Sequence, residues 1–130
     1  MKNGKPLDQD PLFAARMAQV EIDLENMKTT NLRVIAAVAG GGVPGAESSM
    51  LKIRGTEIRQ ELLSLARRAI GPYAQPFVEE ALLEGYTGEP VGPQGTAAVT
   101  AQYLNNRKLS IYGGSNEIQR NIISKMILGL

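Results

Sequence analysis

The chain has 130 residues, no cysteine and no histidine, and its 14 basic and 13 acidic side chains leave a net charge of +1 at neutral pH. This length suits one domain, and the balanced charge gives no electrostatic reason to expect nucleic acid or an anionic membrane as a partner. The missing histidine and cysteine exclude a Ser-His-Asp triad, a thiol nucleophile and most zinc and haem sites. Any catalysis therefore depends on carboxylates, lysine, tyrosine or an external cofactor.

The start of the chain, MKNGKPLDQDP, is polar and lacks the apolar core of a signal peptide. No apolar run approaches the roughly 20 residues that a membrane-spanning helix needs. We therefore expect a soluble, cytoplasmic chain without a membrane span. Residues 1–9 are predicted to form a flexible lead, and residues 10–130 to form the folded domain.

The first helix is predicted to begin at Asp10-Pro11, with aspartate as the N-cap and proline at the first helical position. Three glycines, residues 40–42, followed by Pro44 predict its end. Between these limits, residues recur at alternating spacings of four and three, which is typical of a helix packed along a heptad seam. The members of this seam are Phe13, Met17, Val20, Leu24, Met27, Asn31, Val34 and Val38.

A second helix is predicted from about Ala46 to Ile70, where Gly71-Pro72 would stop it. Its seam has the same spacing and consists of Leu51, Gly55, Ile58, Leu62, Leu65 and Ala69. A glycine within a helical seam is unfavourable for the helix itself, so Gly55 predicts a close approach to a neighbouring helix.

The remaining chain predicts two further helices. Residues 77–84 suit a short helix, residues 85–95 form a loop rich in glycine and proline, and helicity resumes from about Thr96 to Ile111. A last helix is predicted to start at Ser115 or Asn116. Because no stretch alternates as a strand does, the predicted fold is all-α, an antiparallel four-helix (up-and-down) bundle.

Two pairs of glutamates lie four residues apart on one helix face, Glu21 with Glu25 and Glu57 with Glu61. Paired carboxylates serve acid–base chemistry, or bind metals when they face inward. One member of each pair also has a basic residue three positions away, which favours local ion pairs on a solvated face. We therefore predict no metal site.

The corner before the last helix contains adjacent glycines, Gly113 and Gly114. Glycines let a backbone approach a ligand closely, and the helix start that follows presents unpaired N–H groups that suit a phosphate or the polar rim of a cofactor. Either Ser115 or Asn116 is expected to cap the helix, with Gln119 placed to complete a capping box from Asn116. From spacing alone, a plain turn is favoured over an anion site.

Three stretches together resemble the acyl-CoA dehydrogenase family: IYGGSNEIQRNIISKMILGL at the end of the chain, SSMLKIRGTEIRQELLSLARRAIG, and DPLFAARMAQVEIDLENMKTTNLR. The resemblance covers most of the chain and weakens between about Pro72 and Gly95. It implies a helical C-terminal domain that completes an FAD-dependent enzyme and builds the core of a tetramer. We accordingly expect a homo-oligomer that forms through helical faces.

The resemblance also implies the reaction. Enzymes of this family desaturate an acyl-CoA thioester between its α and β carbons, and an electron-transfer flavoprotein or similar acceptor reoxidises the flavin. In many members the base is a glutamate directly after the tyrosine of a Tyr-Glu-Gly-Thr run, whereas this chain has Gly113 after Tyr112. No catalytic residue is therefore predicted here. The base lies on an earlier helix outside this chain, as in other branches of the family, or the chain belongs to a non-catalytic subunit paired with an active one.

For the ligands, the resemblance implies that Gly114 lies near the thioester or acyl chain, and that Ser115, Asn116 and Glu117 lie near the adenosine diphosphate portion of FAD. With the resemblance included, a ligand-binding role for the Gly113-Gly114 corner is favoured over a plain turn. The domains that hold most flavin and CoA contacts in the family are missing, so we expect a fragment, a truncated gene product or an excised domain that binds FAD weakly or not at all by itself. The alternative is a helical assembly module that binds no ligand.

Overall fold

A computed structural model of the chain describes residues 4–89 and 91–129. Its α-helices are α1 (Pro11–Ala39), α2 (Glu47–Ile70), α3 (Val99–Asn105) and α4 (Asn116–Leu128). Short 3-10 helices occupy Leu7–Gln9, Gly71–Ala74, Glu79–Leu82 and Asn106–Ser110. The described residues contain no β-strand, which confirms the predicted all-α class; the antiparallel up-and-down arrangement stays a prediction. Over the same residues, no helix combines the length and apolarity needed to cross a membrane.

Helix α1 begins and ends as its local sequence predicts. The backbone N–H of Phe13 donates to Asp10 Oδ1 at 3.0 Å, so Asp10 acts as the N-cap. At the other end Gly41 has φ +88°, and the N–H groups of Gly41 and Gly42 donate to the carbonyls of Val38 and Ala37. This is a Schellman motif, which satisfies the last carbonyls of the helix.

The predicted lead lies partly outside the described residues, since residues 1–3 are not described. Within the remainder, Leu7–Gln9 forms one 3-10 turn and Leu7 is half-buried. Leu7 also lines a cavity of about 280 Å³ together with Phe13 and Arg68. Flexibility of the lead stays a prediction.

The chain divides into two compact units. The first comprises the chain up to Met17 together with Arg59–Arg107, and its buried apolar side chains are Leu63, Leu65, Ala74 and Ala101. The second comprises Ala18–Ile58 together with the chain from Lys108 onward, and its buried apolar side chains are Val20, Ala46, Ile53 and Ile58. Three polar residues, Ser49, Thr56 and Asn116, are also buried in the second unit.

In the first unit, polar side chains of α2 fix the segment that follows α3. The guanidinium groups of Arg67 and Arg107 lie 4.6 and 4.8 Å from the centre of the Tyr103 ring, within cation–π range. The Gln60 amide donates to the carbonyls of Asn106 and Arg107 at 3.4 Å each. These carbonyls lie in the 3-10 turn, so α2 satisfies backbone groups that an α-helix would have used internally.

The third helix is shorter than predicted. Its α-helical part ends at Asn105 and continues as a 3-10 turn to Ser110, instead of reaching Ile111 as one helix. The Asn106 side chain donates to the Gln102 carbonyl at 2.8 Å, and the Asn106 backbone N–H donates to the same carbonyl, so Asn106 is the C-cap of α3. The short helix predicted over residues 77–84 is only a 3-10 turn, Glu79–Leu82.

In the second unit, every second residue of the predicted α1 seam is exposed. Val20 is buried and Met27 and Val34 are half-buried, as predicted, but Leu24, Asn31 and Val38 are exposed. Asp23 and Thr30, which directly precede the exposed Leu24 and Asn31, are half-buried. At Asp23 an ion pair with α2 accounts for the inward polar side chain, since Arg54 Nη2 lies 2.8 Å from Asp23 Oδ1.

Candidate functional site

The two glycines before α4 form a tight turn in which both residues have positive φ, +70° at Gly113 and +83° at Gly114. Ser115 follows with extended backbone, and its Oγ accepts a hydrogen bond from the Ile118 N–H at 3.3 Å. Ser115 is therefore the N-cap of α4, and Asn116 is its first helical residue. The turn separates α4 from the 3-10 segment before it, so the predicted corner is confirmed.

The predicted capping box from Asn116 to Gln119 is wrong. A box needs the glutamine three residues after the cap, and with Ser115 as the cap that position is Ile118. Gln119 instead turns back and donates through Nε2 to the Gly113 carbonyl at 3.2 Å. A Cβ at Gly114 would lie 2.5 Å from this nitrogen, whereas nothing lies within 4 Å of one at Gly113.

The Asn116 side chain faces α2. It is 8% exposed, and its Oδ1 accepts a hydrogen bond from Lys52 Nζ at 2.8 Å. Lys52 is half-buried on α2, beside the buried Ile53. The sequence did not single out Lys52, which is 64 residues away from Asn116 along the chain.

Glu117 has an exposed carboxylate at the first turn of α4. Its pKa lies below the ordinary value of 4.5 because its own backbone N–H and then the Ser115 hydroxyl donate to the carboxylate. Desolvation opposes this shift, and weaker attraction from Arg120 and then Lys52 lowers the pKa a little further. Glu117 therefore presents an ionised hydrogen-bond acceptor to solvent at neutral pH.

These contacts decide which ligand chemistry the start of α4 suits. The Ile118 N–H is taken by the Ser115 hydroxyl. One of the amides that an anion would use at a helix start thus has a partner within the chain. The ionised carboxylate of Glu117, in the first turn of α4, instead suits a donor such as a sugar hydroxyl.

An ion-pair network borders the site on the same unit. Arg54 lies between Asp23, at 2.8 Å, and Glu57, at 2.6 Å, and Glu57 lies 3.9 Å from Arg120 of α4. The network links α1, α2 and α4 through charges of alternating sign. The sequence predicted that one member of the pair Glu57 and Glu61 forms a local ion pair. The ion pair between Glu57 and Arg54 confirms this prediction.

Two of the other predicted carboxylates, Glu25 and Glu61, are also in ion pairs. Glu25 lies 3.4 Å from Lys28, as its spacing predicts, and Glu61 lies 2.7 Å from Arg16 in the first unit. Across residues 4–89 and 91–129, no three acidic side chains come together as metal ligands.

A cavity of the second unit lies away from this corner. It has a volume of about 470 Å³, lies beside the connection between α1 and α2, and contains Arg33, Val43 and Glu47 among its lining residues. None of its lining residues belongs to 113–117, where Gly113, Gly114 and Glu117 are exposed. The predicted site is thus an open surface, and a ligand held there needs cover from another part of a protein.

The comparisons with known proteins agree with this interpretation of the fold. A family described as "Acyl-CoA dehydrogenase, C-terminal domain" matches residues 1–128. The chain belongs to this family. Membership confirms the resemblance drawn from the three sequence stretches.

Two relatives extend the comparison. The acyl-CoA dehydrogenase IpdE1 of Mycolicibacterium smegmatis is 68% identical over 28 residues, which is 22% of this chain and 7% of that protein. The crystal structure of the ChsE4-ChsE5 complex from Mycobacterium tuberculosis contains a chain that is similar over 100% of this chain, with 25% identity and a TM-score of 0.72. This chain covers 31% of that one, so it spans less than a third of the proteins it matches.

Proposed function

We propose that this chain is the C-terminal domain of an FAD-dependent acyl-CoA dehydrogenase, an oxidoreductase that desaturates acyl-CoA thioesters between the α and β carbons. Family membership supports the enzyme class. The observation that carries the cofactor assignment is the exposed, ionised Glu117 beside the N-cap Ser115, directly after a turn of two glycines. This arrangement offers hydrogen-bond partners to the adenosine half of FAD.

The residues present fit that half of the cofactor. The Glu117 carboxylate accepts from a ribose hydroxyl, and the Ser115 hydroxyl lies next to it. Asn116 contributes through its backbone, because its side-chain oxygen is already bonded to Lys52. Gly114 is assigned to the neighbourhood of the thioester or acyl chain, where a residue without a side chain leaves room for substrate.

Bound FAD supplies the chemistry of hydride uptake from the acyl β carbon. This chain provides no base for removing the α proton at the position after Tyr112, since that residue is Gly113. The residues of the turn therefore bind and orient, and the base belongs to another segment or subunit. We propose that the chain alone is inactive, and that its partners are acyl-CoA and an acceptor such as an electron-transfer flavoprotein.

The exposed face of α4 supports assembly as a further part of this function. Ile118, Ile122 and Met126 follow one another at four-residue spacing, and their exposed fractions are 52%, 37% and 55%. Residues at this spacing share one helix face. We propose that this stripe is covered in an oligomer, either by a second copy or by a related subunit; the similar chain from Mycobacterium tuberculosis was crystallised within a ChsE4-ChsE5 complex.

The same stripe favours a second candidate, a non-catalytic helical assembly module or non-catalytic subunit. The two candidates share the fold and differ at the start of α4. Only the flavoprotein domain requires Glu117 and Ser115 to contact a nucleotide. Their side chains therefore discriminate between the candidates.

Titration of the chain with ADP, FAD and riboflavin, followed by the amide NMR shifts, tests the assignment. We expect ADP and FAD to shift the resonances of residues 114–119 with a Kd weaker than about 1 mM, and riboflavin to leave them unchanged. Glu117→Gln and Ser115→Ala should each weaken the ADP response. Glu47→Gln, at the first turn of α2, is the matched control and should have no effect.

Two outcomes would contradict the proposal. If ADP leaves residues 114–119 unchanged, or shifts the start of α2 equally, the assembly module becomes the better description. Tight FAD binding with a red-shifted flavin spectrum would show that the chain forms a complete site by itself, in conflict with the open surface around residues 113–117.

A further inference from the structure

We infer that Lys52 is a positioning residue for the start of α4: it holds Asn116 so that Ser115 and Glu117 face outward. This inference rests on the proposed function. Its basis is the 2.8 Å hydrogen bond from Lys52 Nζ to Asn116 Oδ1, a contact between residues 64 positions apart. Asn116 is 8% exposed and Lys52 is half-buried, so the bond is shielded from water.

Helix geometry connects this contact to the proposed ligand side. Successive residues of an α-helix are rotated by about 100°, because one turn takes about 3.6 residues. When the side chain of Asn116 is fixed toward α2, the helix cannot rotate about its axis without breaking that bond. Glu117 is then held on the exposed side, as its accessibility shows.

The turn itself is held within its own segment, where the Gln119 amide donates to the Gly113 carbonyl at 3.2 Å. Ile111, Tyr112, Gly113 and Gly114 are all exposed. The Thr56 hydroxyl lies 3.3 Å from the Leu109 carbonyl but only 2.9 Å from the Lys52 carbonyl on its own helix. Its single proton is therefore donated mainly within α2. The contact from Lys52 to Asn116, at 2.8 Å, is also shorter than the ion pair between Glu57 of α2 and Arg120 of α4, at 3.9 Å.

The location of a lysine here is unexpected for helix stability alone. The first turn of a helix carries partial positive charge, so an ammonium group close to it is electrostatically unfavourable. Two groups compensate at this site: the Asn116 oxygen, through a charge-assisted hydrogen bond, and the Glu117 carboxylate, whose pKa the ammonium helps to lower. Both belong to the segment assigned to the nucleotide, which is why we attribute the lysine to positioning that segment.

The test compares Lys52→Met with Lys28→Met in the full chain. Both variants lose one positive charge, but Lys28 is exposed and pairs only locally, with Glu25 at 3.4 Å. We expect Lys52→Met to weaken the binding of ADP to the folded chain about tenfold, because the start of α4 is then no longer held in the orientation that presents Ser115 and Glu117. Lys28→Met should bind as the wild type does, and Lys52→Arg should recover most of the affinity.

The test includes a thermodynamic cycle that a general loss of stability would not reproduce. If Lys52 acts through Asn116, the double variant Lys52→Met with Asn116→Ala should bind ADP no more weakly than either single variant. Additive losses would overturn the inference. If Lys52→Met does not fold, Asn116→Ala, which removes the acceptor and keeps the lysine, gives the same comparison with Lys28→Met.

The outcomes separate this inference from the proposed function. If the wild-type chain binds ADP and Lys52→Met binds it equally well, the positioning role is wrong and the cofactor assignment stands. If the wild type binds no ADP, the cofactor assignment fails. Amide hydrogen exchange at residues 114–119 then decides the positioning role: faster exchange in Lys52→Met than in Lys28→Met supports it, and equal exchange overturns it.

Discussion

The side-chain nitrogen of Gln119 lies 3.2 Å from the carbonyl oxygen of Gly113, so a residue from the first turn of α4 closes the loop that precedes the same helix. This contact gives the two glycines of the turn different reasons for being glycine. Gly113 needs only its positive φ, since the space around it is open. Gly114 needs its positive φ and also the space that the Gln119 amide occupies.

Alanine substitutions separate these two requirements. Gly113→Ala and Gly114→Ala should each destabilise the chain by about 1–2 kcal/mol, because both force an L-residue into the left-handed region. Gly114→Ala should lose about 1 kcal/mol more, because the new Cβ displaces Gln119 from its hydrogen bond. Urea unfolding measures both. In a Gln119→Ala background the difference between them should disappear, and equal losses in the wild-type background would contradict the proposed contact.

Gly55 offers a substitution expected to stabilise the chain. A Cβ at this position would lie 3.6 Å from Met27 Sδ, an ordinary van der Waals contact. Gly55→Ala should therefore gain about 0.5–1 kcal/mol from helix propensity without a clash. Gly55→Leu should destabilise by about 1–3 kcal/mol, because the larger side chain overpacks the contact between α1 and α2. Thermal unfolding distinguishes the two, and destabilisation by alanine would mean that the helices approach too closely for a methyl group.

The features that the sequence predicted are those set by neighbours along the chain. Asp10-Pro11 and the glycines after α1 determine the helix ends through local hydrogen bonds, and Ser115 caps α4 for the same reason. The family resemblance was likewise carried by contiguous stretches. Features of this kind can be predicted without knowledge of the fold, because the residues that interact are neighbours in the sequence.

The features that the sequence missed depend on residues far apart along the chain. The inward turn of Asp23 follows from Arg54, and the early end of α3 is stabilised by Gln60. Nothing in the sequence identified Lys52 as a contact residue, since a lysine on a helix is usually solvated. Its partner lies 64 residues away, and only the packing of α4 on α2 brings the two together.

Arg54 is expected to contribute more to stability than an ordinary surface arginine. It bridges Asp23 of α1 and Glu57 of its own helix, although its side chain is 44% exposed. Arg54→Met should destabilise by about 1 kcal/mol, the upper end for exposed pairs because of the network. Lys28→Met, which breaks one local pair, should lose only about 0.3 kcal/mol. Raising the salt concentration to about 1 M should bring the two variants together, since screening weakens exposed charges; a salt-independent difference would point to packing of the arginine stem instead.

Glu117 gives the site a dependence on acid pH whose sign follows from its lowered pKa. A carboxyl with a lower pKa in the folded state than in the unfolded state stabilises the fold fully above the unfolded value, near 4.5, and loses that contribution as the pH falls through the folded value. The 13C shift of the Glu117 carboxyl should therefore titrate below 4.5, and Ser115→Ala should raise its midpoint, because the hydroxyl no longer donates to the carboxylate. Glu117→Gln should flatten the fall in unfolding free energy over the same pH range.

The binding of ADP should depend on pH for the same reason. As the pH is lowered and Glu117 becomes protonated, the ADP-induced shifts of residues 114–119 should disappear. Shifts that persist after Glu117 is protonated would show that this side chain does not bind the nucleotide.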